Sequence, residues 1–522
     1  MDDRRGLCLA AGWAAAAAAA LVALYLRHRH TSLDGDFQGW ASASCMLMAR
    51  AFNQMGAAHM HFVPFQNNLP VGNDPDVYLH WPPLYPLVLA FFLRVFGDDV
   101  GSGRMLALLI TLLSGGVVAM IAKRLYSLRT GLLAAFFFFT VRATYEGASP
   151  LLQQPLAMLF ALCAVLCFLY GTGIGGSGET DEGSWWFAVA GAVCVALSVG
   201  SAWDPVFVPF SLLATGLWLR ERKAVALGAA YCAVAVLTFV AVEADYVLAF
   251  PQLFANQFAT ILYRAGMHFN TSSSVRLHTI VDAAHFDQQY GVVASYWRAL
   301  RNVVMYFSSI TLVAAALLAA MWVRGGVRQR SAETWVIGSL LLPVVVWYAV
   351  MRNYVAIHPF PLVLAAPFAA IASGVILDRL WSWFAARSEE KPIWWALAVA
   401  LPVVVLLPLL MQYRDAAMVT NAEFTDLSPL IRDNTPPGAV VLTPAESLVP
   451  TFYSQRHLVR GIETDATLRE ALALAHQDFP GAPLFFAVRD LDRSGVAQSL
   501  SALPPGVRRG DSVLYRVLYR LP

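Results

Sequence analysis

Runs of apolar residues long enough to cross a bilayer recur through most of this chain, and they leave little freedom in what it can fold into. A membrane helix needs about 20 such residues. Candidate spans lie at 7–26, 104–122, 130–145, 151–171, 185–203, 205–219, 224–248, 303–323, 334–351, 357–379 and 393–411. The run 130–145 is short and carries Arg142, and 205–219 is short enough to tilt or re-enter. Of all residues 58% are hydrophobic and 13% charged, against about 25% charged in a soluble domain. Such a chain cannot clothe a water-facing surface, so lipid is its solvent. The expected fold class is mainly α: a polytopic transmembrane helical bundle of about 11 spans over residues 1–411, followed by a small extracytoplasmic α/β domain over 412–522. In that tail Asn434-Thr-Pro-Pro-Gly438 signals a turn and Ala439–Leu442 a strand. Leu468–His476 reads as a helix, and Leu484–Val488 and Ser512–Tyr515 as further strands.

Several classes are excluded. The net charge is +2 and no basic tract is present, so nucleic acid is not a partner. There is no Gly-x-x-x-x-Gly-Lys loop for nucleotide phosphates. Six cysteines are scattered, five of them inside apolar stretches, where cysteine acts as a small hydrophobe. No internal repeat is visible. The first apolar run follows Arg4 and Arg5 and resembles a signal peptide. It is long enough to cross, however, and no small-residue cleavage site follows, so it reads as an uncleaved first span.

Basic residues in short loops set the orientation. With the N-terminus inside, the only lysines, Lys123, Lys223 and Lys391, all fall in cytoplasmic loops. Counting 82–97 as a span would put them on the wrong side. That stretch begins with Pro82-Pro83 and contains Arg94, and it reads as a helix lying in the membrane plane. The outer segments are then a first loop over 31–103, turns at Tyr145-Glu146 and Trp203-Asp204-Pro205, a long loop over 249–302, and a turn at Arg352-Asn353-Tyr354.

The first outer loop is the most informative. It opens Leu33-Asp34-Gly35-Asp36-Phe37-Gln38-Gly39-Trp40, continues as a helix over Trp40–Met55, and reaches Tyr78-Leu79-His80-Trp81-Pro82-Pro83-Leu84-Tyr85-Pro86. A carboxylate just past the first span shares the depth of a lipid head group, and there it can take a proton from an acceptor hydroxyl or amine. The bland alternatives stay open: Asp34-Gly35 as a turn, Asp36 as a helix cap, and His80 beside an interfacial aromatic anchor.

This order of features resembles the GT-C superfamily of polyprenyl-phosphate-sugar-dependent glycosyltransferases, including protein O-mannosyltransferases and lipid A aminoarabinose transferases. It consists of a span, an outer acidic motif, an amphipathic helix, His-x-Pro-Pro-Leu-Tyr-Pro, an apolar helix, and Arg104 opening the next span. Arg352-Asn-Tyr354-Val-Ala-Ile-His358-Pro resembles the outer end of that family's late span. The resemblance implies a sugar donor on a polyprenyl phosphate and a lipid, glycan or protein acceptor. It also implies one inverting displacement, with Asp36 as general base and Asp34 as the close alternative. Where members often carry Asp-Glu, this chain has Asp36-Phe37, which leaves the use of a divalent metal ion open. Glu146 is a candidate for the sugar hydroxyls, and Gln153-Gln154-Pro155 stands where relatives often have an acid before proline. His80, Tyr85, Arg352, Tyr354 and His358 are candidates for binding donor or leaving phosphate, with Arg264, Arg276 and His278 weaker ones. The implied location is a bacterial inner membrane, among its lipids, with the site extracytoplasmic. The rival readings are an O-antigen-ligase-like transferase, a polytopic transporter, or a structural membrane protein.

Overall fold

The computed structural model describes residues 3–517, leaving aside 34–38, 70–75, 79–80, 148–150, 176–184, 252–260, 263, 268–290, 326–331, 359, 386–399, 408–410, 412–426, 446, 502, 504 and 510. The chain opens with the long apolar helix α1 (Asp3–His28), followed by α2 (Gly39–Met55) and α3 (Leu84–Phe96) of the first loop. Helix α4 (Val100–Leu125) starts on Asp99, whose carboxylate accepts from the Ser102 N–H at 3.0 Å. It ends on Lys123-Arg124, cations that suit the negative end of the helix dipole. Helix α5 (Leu128–Thr140) is capped by Ser127 and stops where Val141 turns extended. Arg142 begins the separate short helix α6 (Arg142–Gly147), so the expected span 130–145 is broken. Helices α7 (Gln153–Thr172), α8 (Trp185–Ser201), α9 (Phe207–Leu219) and α10 (Arg222–Ala249) follow as two antiparallel pairs. The turn between α9 and α10 uses a left-handed Arg220, and Glu221 caps α10 through the Lys223 N–H.

Five described segments are long and apolar enough to cross a membrane alone: Arg4–His28, Val100–Leu125, Gln153–Thr172, Arg222–Ala249 and Leu362–Trp383. Others, such as α3 and α5 with 13 residues each, are shorter. At 1.5 Å per residue these are about 20 Å long, less than the ~30 Å hydrocarbon layer. For α3 that length agrees with a helix lying in the plane. Its Tyr85, Leu89 and Leu93 face is buried, while Phe91, Val95 and Phe96 are exposed. The expected span 303–323 is instead two helices, α11 (Val292–Tyr306) and α12 (Ser309–Gly325), bent by 109°. After α13 (Ala332–Val350) and the short α14 (Arg352–Ile357), a 3₁₀ segment leads into α15 (Ala366–Ala385). The apolar stretch expected at 357–379 instead begins at Leu362, which leaves His358 outside it. The span expected at 393–411 lies largely outside the described residues.

Close packing fixes the bundle. Gly374 of α15 lies so near α5 that a Cβ there would sit 2.9 Å from Ala134 N and Thr130 O. Beside this contact Trp13 packs on Phe136 and Trp381. Asp378 of α15 accepts from Thr130 Oγ1 at 2.6 Å, from Ser127 Oγ at 3.2 Å and from Arg129, whose other arm reaches Ser382. Arg129 also touches Gly6 at the start of α1. One end of the bundle thus collects the start of α1, Lys123-Arg124 and Arg129. The opposite end holds His28, Arg104, Gln153 and the 3₁₀ turn Asp204–Val206.

At that opposite end lies a five-stranded sheet, order β2-β1-β3-β5-β4. Its strands are β1 (Val440–Leu442), β2 (His457–Val459), β3 (Leu484–Arg489), β4 (Val507–Arg509) and β5 (Ser512–Val517). The first three pair in parallel, and β5 runs antiparallel to β3 and β4. Around them pack α16 (Leu427–Asn434), α17 (Val449–Ser454), α18 (Asp465–Asp478) and α19 (Ala497–Ser501). Helix α18 opens with a capping box in which the Thr464 and Thr467 side chains satisfy each other's backbone N–H groups.

The sheet's two edges are handled differently. Strand β4 is exposed and carries Arg508 and Arg509. Strand β2 is buried against the segment between α2 and α3, where the Asn67 side-chain amide behaves as one more rung of the ladder. Its Nδ2 donates to Leu458 O at 2.8 Å, and its Oδ1 accepts from Leu458 N at 3.1 Å. Asn68 Nδ2 donates to Thr451 O and Arg456 O, and Arg460 pairs with Asp76 at 3.0 Å. His457 Nδ1 donates to Asn68 O at 3.0 Å. Arg50 of α2 lies over the Phe452 ring, and Tyr453 Oη accepts from Leu33 N at 2.9 Å.

Candidate functional site

A cleft partly open to solvent lies where five distant stretches of chain meet, forming three walls, at the end of the bundle that faces the sheet. One wall is α2, through Trp40, Ser44, Cys45 and Met48. A second is the start of α7, through Gln153 and Gln154. The third combines Tyr78, Trp81, Arg264, Tyr354 and His358. Helix α2 can pack this closely because the face it turns inward is built of small and flexible residues such as Ala41, Ser42, Ala43 and Met46. Ser42 Oγ accepts from Leu151 N at 2.9 Å, tying α2 to the approach of α7.

Arg264 is the cation of the cleft. Its guanidinium carbon lies 5.5 Å from the Trp81 ring centre and 5.1 Å from that of Tyr354. Tyr354 in turn packs on Trp81, Trp347 and His358, and His358 on Trp40. The result is an aromatic cage with one guanidinium inside it, partly exposed. Burial, reinforced by the Arg264 charge, pushes the His358 imidazole down to about 3, so the ring is neutral at physiological pH. Burial also pushes the Tyr78 and Tyr354 phenols up, which keeps both as protonated donors. A protonated phenol, a neutral imidazole and a guanidinium together suit a phosphate, which needs donors and one compensating charge.

The expected site residues are distributed unevenly around this cleft. Tyr354 and His358 line it. Arg352 does not, because its Nη2 donates to Gly266 O at 2.6 Å. Gly266 has a positive φ of 77°, and a Cβ there would overlap the Arg352 guanidinium. Arg352 thus braces the turn that carries Arg264. Tyr85 is buried in the core between α2, α3 and α4 and faces no cleft. Glu146 lies on α6. Asp34, Asp36 and His80 lie outside the described residues, as do Arg276 and His278. Among the described residues no group of three or more His, Cys, Asp or Glu could hold a metal ion.

Sequence reasoning ranked Arg264 too low and treated Trp203-Asp204-Pro205 only as a turn. Asp204 is fully buried, and neither carboxylate oxygen has a hydrogen bond of good geometry. A lone carboxylate between two apolar spans was the available signal.

With this geometry in view, comparison with known proteins is informative. A family model described as dolichyl-phosphate-mannose-protein mannosyltransferase matches residues 80–244, the stretch from His80 into α10. The overall fold is similar to that of solved GT-C glycosyltransferases, in keeping with the resemblance read from the sequence. Among solved structures, ArnT from Cupriavidus metallidurans bound to undecaprenyl phosphate is 16% identical, with 97% of this chain and 98% of that chain covered and a TM-score of 0.64. Archaeal oligosaccharyltransferase AglB from Archaeoglobus fulgidus, in complex with an inhibitory peptide and a dolichol-phosphate, is 12% identical over 92% of this chain and 69% of that one, with a TM-score of 0.59. The Archaeoglobus fulgidus oligosaccharyltransferase tethered with an acceptor peptide gives the same TM-score at 13% identity, over 92% of this chain and 68% of that chain. No curated protein matches the sequence at a significant level.

Proposed function

We propose that this protein transfers a sugar from a polyprenyl-phosphate donor to a lipid, glycan or protein acceptor on the extracytoplasmic side of a bacterial inner membrane. The observation that carries the proposal is the cleft itself, in which Arg264 sits between Trp81 and Tyr354 beside the helix that follows Asp34 and Asp36. The donor phosphate lies against Arg264, Tyr354 and His358. Asp36, or Asp34 in its place, takes the proton from the acceptor hydroxyl or amine. That acceptor atom bonds to the anomeric carbon from the face opposite the phosphate. The bond from the anomeric carbon to the phosphate oxygen breaks, configuration inverts, and the polyprenyl phosphate leaves. The sidedness rests on the basic end of the bundle being cytoplasmic. A transporter would place its ionisable residues at mid-membrane depth in repeated halves, whereas here they gather at one end.

The test is transfer by purified Asp36→Asn and Asp34→Asn variants, with binding of undecaprenyl phosphate as the fold control. One of the two is expected to lose transfer by at least about a thousandfold while binding the lipid normally. Near wild-type transfer by both would remove the first-loop acids from the role of base.

A further inference from the structure

Behind the aromatic cage lies a second set of polar groups that the proposed reaction does not yet use. Asp204 occupies the 3₁₀ turn between α8 and α9 and is wholly buried. Both its carboxylate oxygens, Gln154 Oε1, Trp347 Nε1 and Tyr348 Oη are buried with no hydrogen bond of good geometry among the described residues, the nearest approach being that of the Gln154 side chain to Asp204. They belong to one neighbourhood. Gln154, which lines the cleft, lies beside Asp204, and the Asp204 charge reaches Tyr348 and Tyr354. Trp347 packs on Tyr354 and Phe207, and Phe207 follows Asp204 by three residues.

Unpaired buried polar atoms are few in folded proteins, and each costs about 1–3 kcal/mol, more when charged. A group of them beside a cleft therefore has the character of a site awaiting a polar ligand. The chemistry of that ligand follows from the inventory. Four of the five atoms can accept a hydrogen bond, and two can donate. One carboxylate, with no second acid beside it among the described residues, is a weak holder of a divalent cation. A lipid chain would leave every one of these atoms unpaired. Vicinal hydroxyls satisfy them, because a carboxylate accepts two O–H groups at once. The position fits too, since a sugar linked through its anomeric oxygen to a phosphate at Arg264 projects its ring hydroxyls only a few ångströms away.

We infer that Asp204, with Gln154 and Tyr348, forms the subsite that binds the hydroxyl groups of the donor's sugar ring. This rests on the reading of the cleft as a polyprenyl-phosphate-sugar site.

The experiment measures affinity of the purified full chain for undecaprenyl phosphate alone and for the same lipid carrying mannose, glucose, galactose or a pentose. Wild type is expected to bind at least one glycosylated lipid about tenfold or more tightly than the bare lipid. Asp204→Asn, nearly isosteric, is expected to erase that preference and leave bare-lipid affinity within about twofold, and Tyr348→Phe to reduce the preference by a smaller factor. A preference that survives Asp204→Asn overturns the inference and leaves only a buried-water site. So does an equal loss of both affinities, which marks a structural role, and so does a wild type indifferent to every sugar tested. Failure of wild type to bind undecaprenyl phosphate at all would instead refute the reading of the cleft.

Discussion

Replacing Asn67 with alanine isolates the join between the sheet and the first outer loop. The substitution removes three short hydrogen bonds, Nδ2 to Leu458 O at 2.8 Å, Leu458 N to Oδ1 at 3.1 Å and Asn68 N to Oδ1 at 3.0 Å, and two long ones from Nδ2, to Asp76 Oδ2 and His457 Nε2, each at 3.4 Å. Leu458 is fully buried, so its N–H and C=O are stranded on an edge strand with no other chain beside them. At about 1–3 kcal/mol per buried unpaired group, with some relief from entering water, the join loses about 2–4 kcal/mol. The sheet itself should survive, because β2 keeps its pairing to β1. Hydrogen exchange of the purified protein reads this directly. Amides of 457–460 and of 64–68 are expected to exchange about 30- to 900-fold faster in Asn67→Ala, since each 1.4 kcal/mol is a factor of ten. Amides of β4 and β5, at the opposite edge of the sheet, should not change. Unaltered exchange at Leu458, or uniform acceleration through the whole domain, would show that the amide does not hold this edge.

Three further outcomes are expected. Arg264→Ala should weaken undecaprenyl phosphate binding by about 10- to 100-fold, the value of a charge-assisted hydrogen bond, while Arg276→Ala should have little effect. The His358 imidazole has a folded-state value near 3, below the ordinary 6.5, so the unfolded chain binds the extra proton. Stability should therefore fall as pH drops from about 6.5 toward 3. His358→Gln should lower the proton uptake on unfolding in that window by about one, measured from denaturation midpoints at pH 5 and pH 7. In a cysteine-free background, a cysteine at the exposed Leu300 of α11 should react with an impermeant thiol reagent in intact cells. Reaction only after lysis would reverse the assigned orientation.

Much of the architecture was legible in apolar run length, because a helix in lipid must satisfy its own backbone groups. The helix over Gly39–Met55 and the strands around Val440 and Leu484 also lay close to where pattern placed them. What failed did so for identifiable reasons. Val141 interrupts a run in which Arg142 is the only charge, and the place of the break shows only in the backbone. The strand His457–Val459 has three residues, too few for any period to show, and its partner is a side chain from 390 residues earlier. The strand Val507–Arg509 is polar because it is an exposed edge. The cleft was half visible: Tyr354 and His358 stand together in sequence, whereas Trp40, Gln154 and Arg264 meet only through the fold. Arg352 ranked above Arg264 because sequence cannot say which arginine spends its donors on a carbonyl.

The buried guanidinium of Arg104 has a consequence for the two acids. It donates to the carbonyls of His28 and Thr31, the latter at 2.8 Å, which pins the exit of α1 to the entrance of α4. Tyr453 then secures Leu33 from the side of the sheet, and α2 begins at Gly39. Only five residues separate those two anchors, a tether that reaches about 20 Å at full stretch. The segment of sequence that holds Asp34 and Asp36 is thus bounded on one side by an anchor shared between the helical bundle and the sheet, and on the other by a helix of the cleft wall. A displacement of the sheet domain would therefore be felt at Leu33, the residue that precedes the proposed acids in sequence.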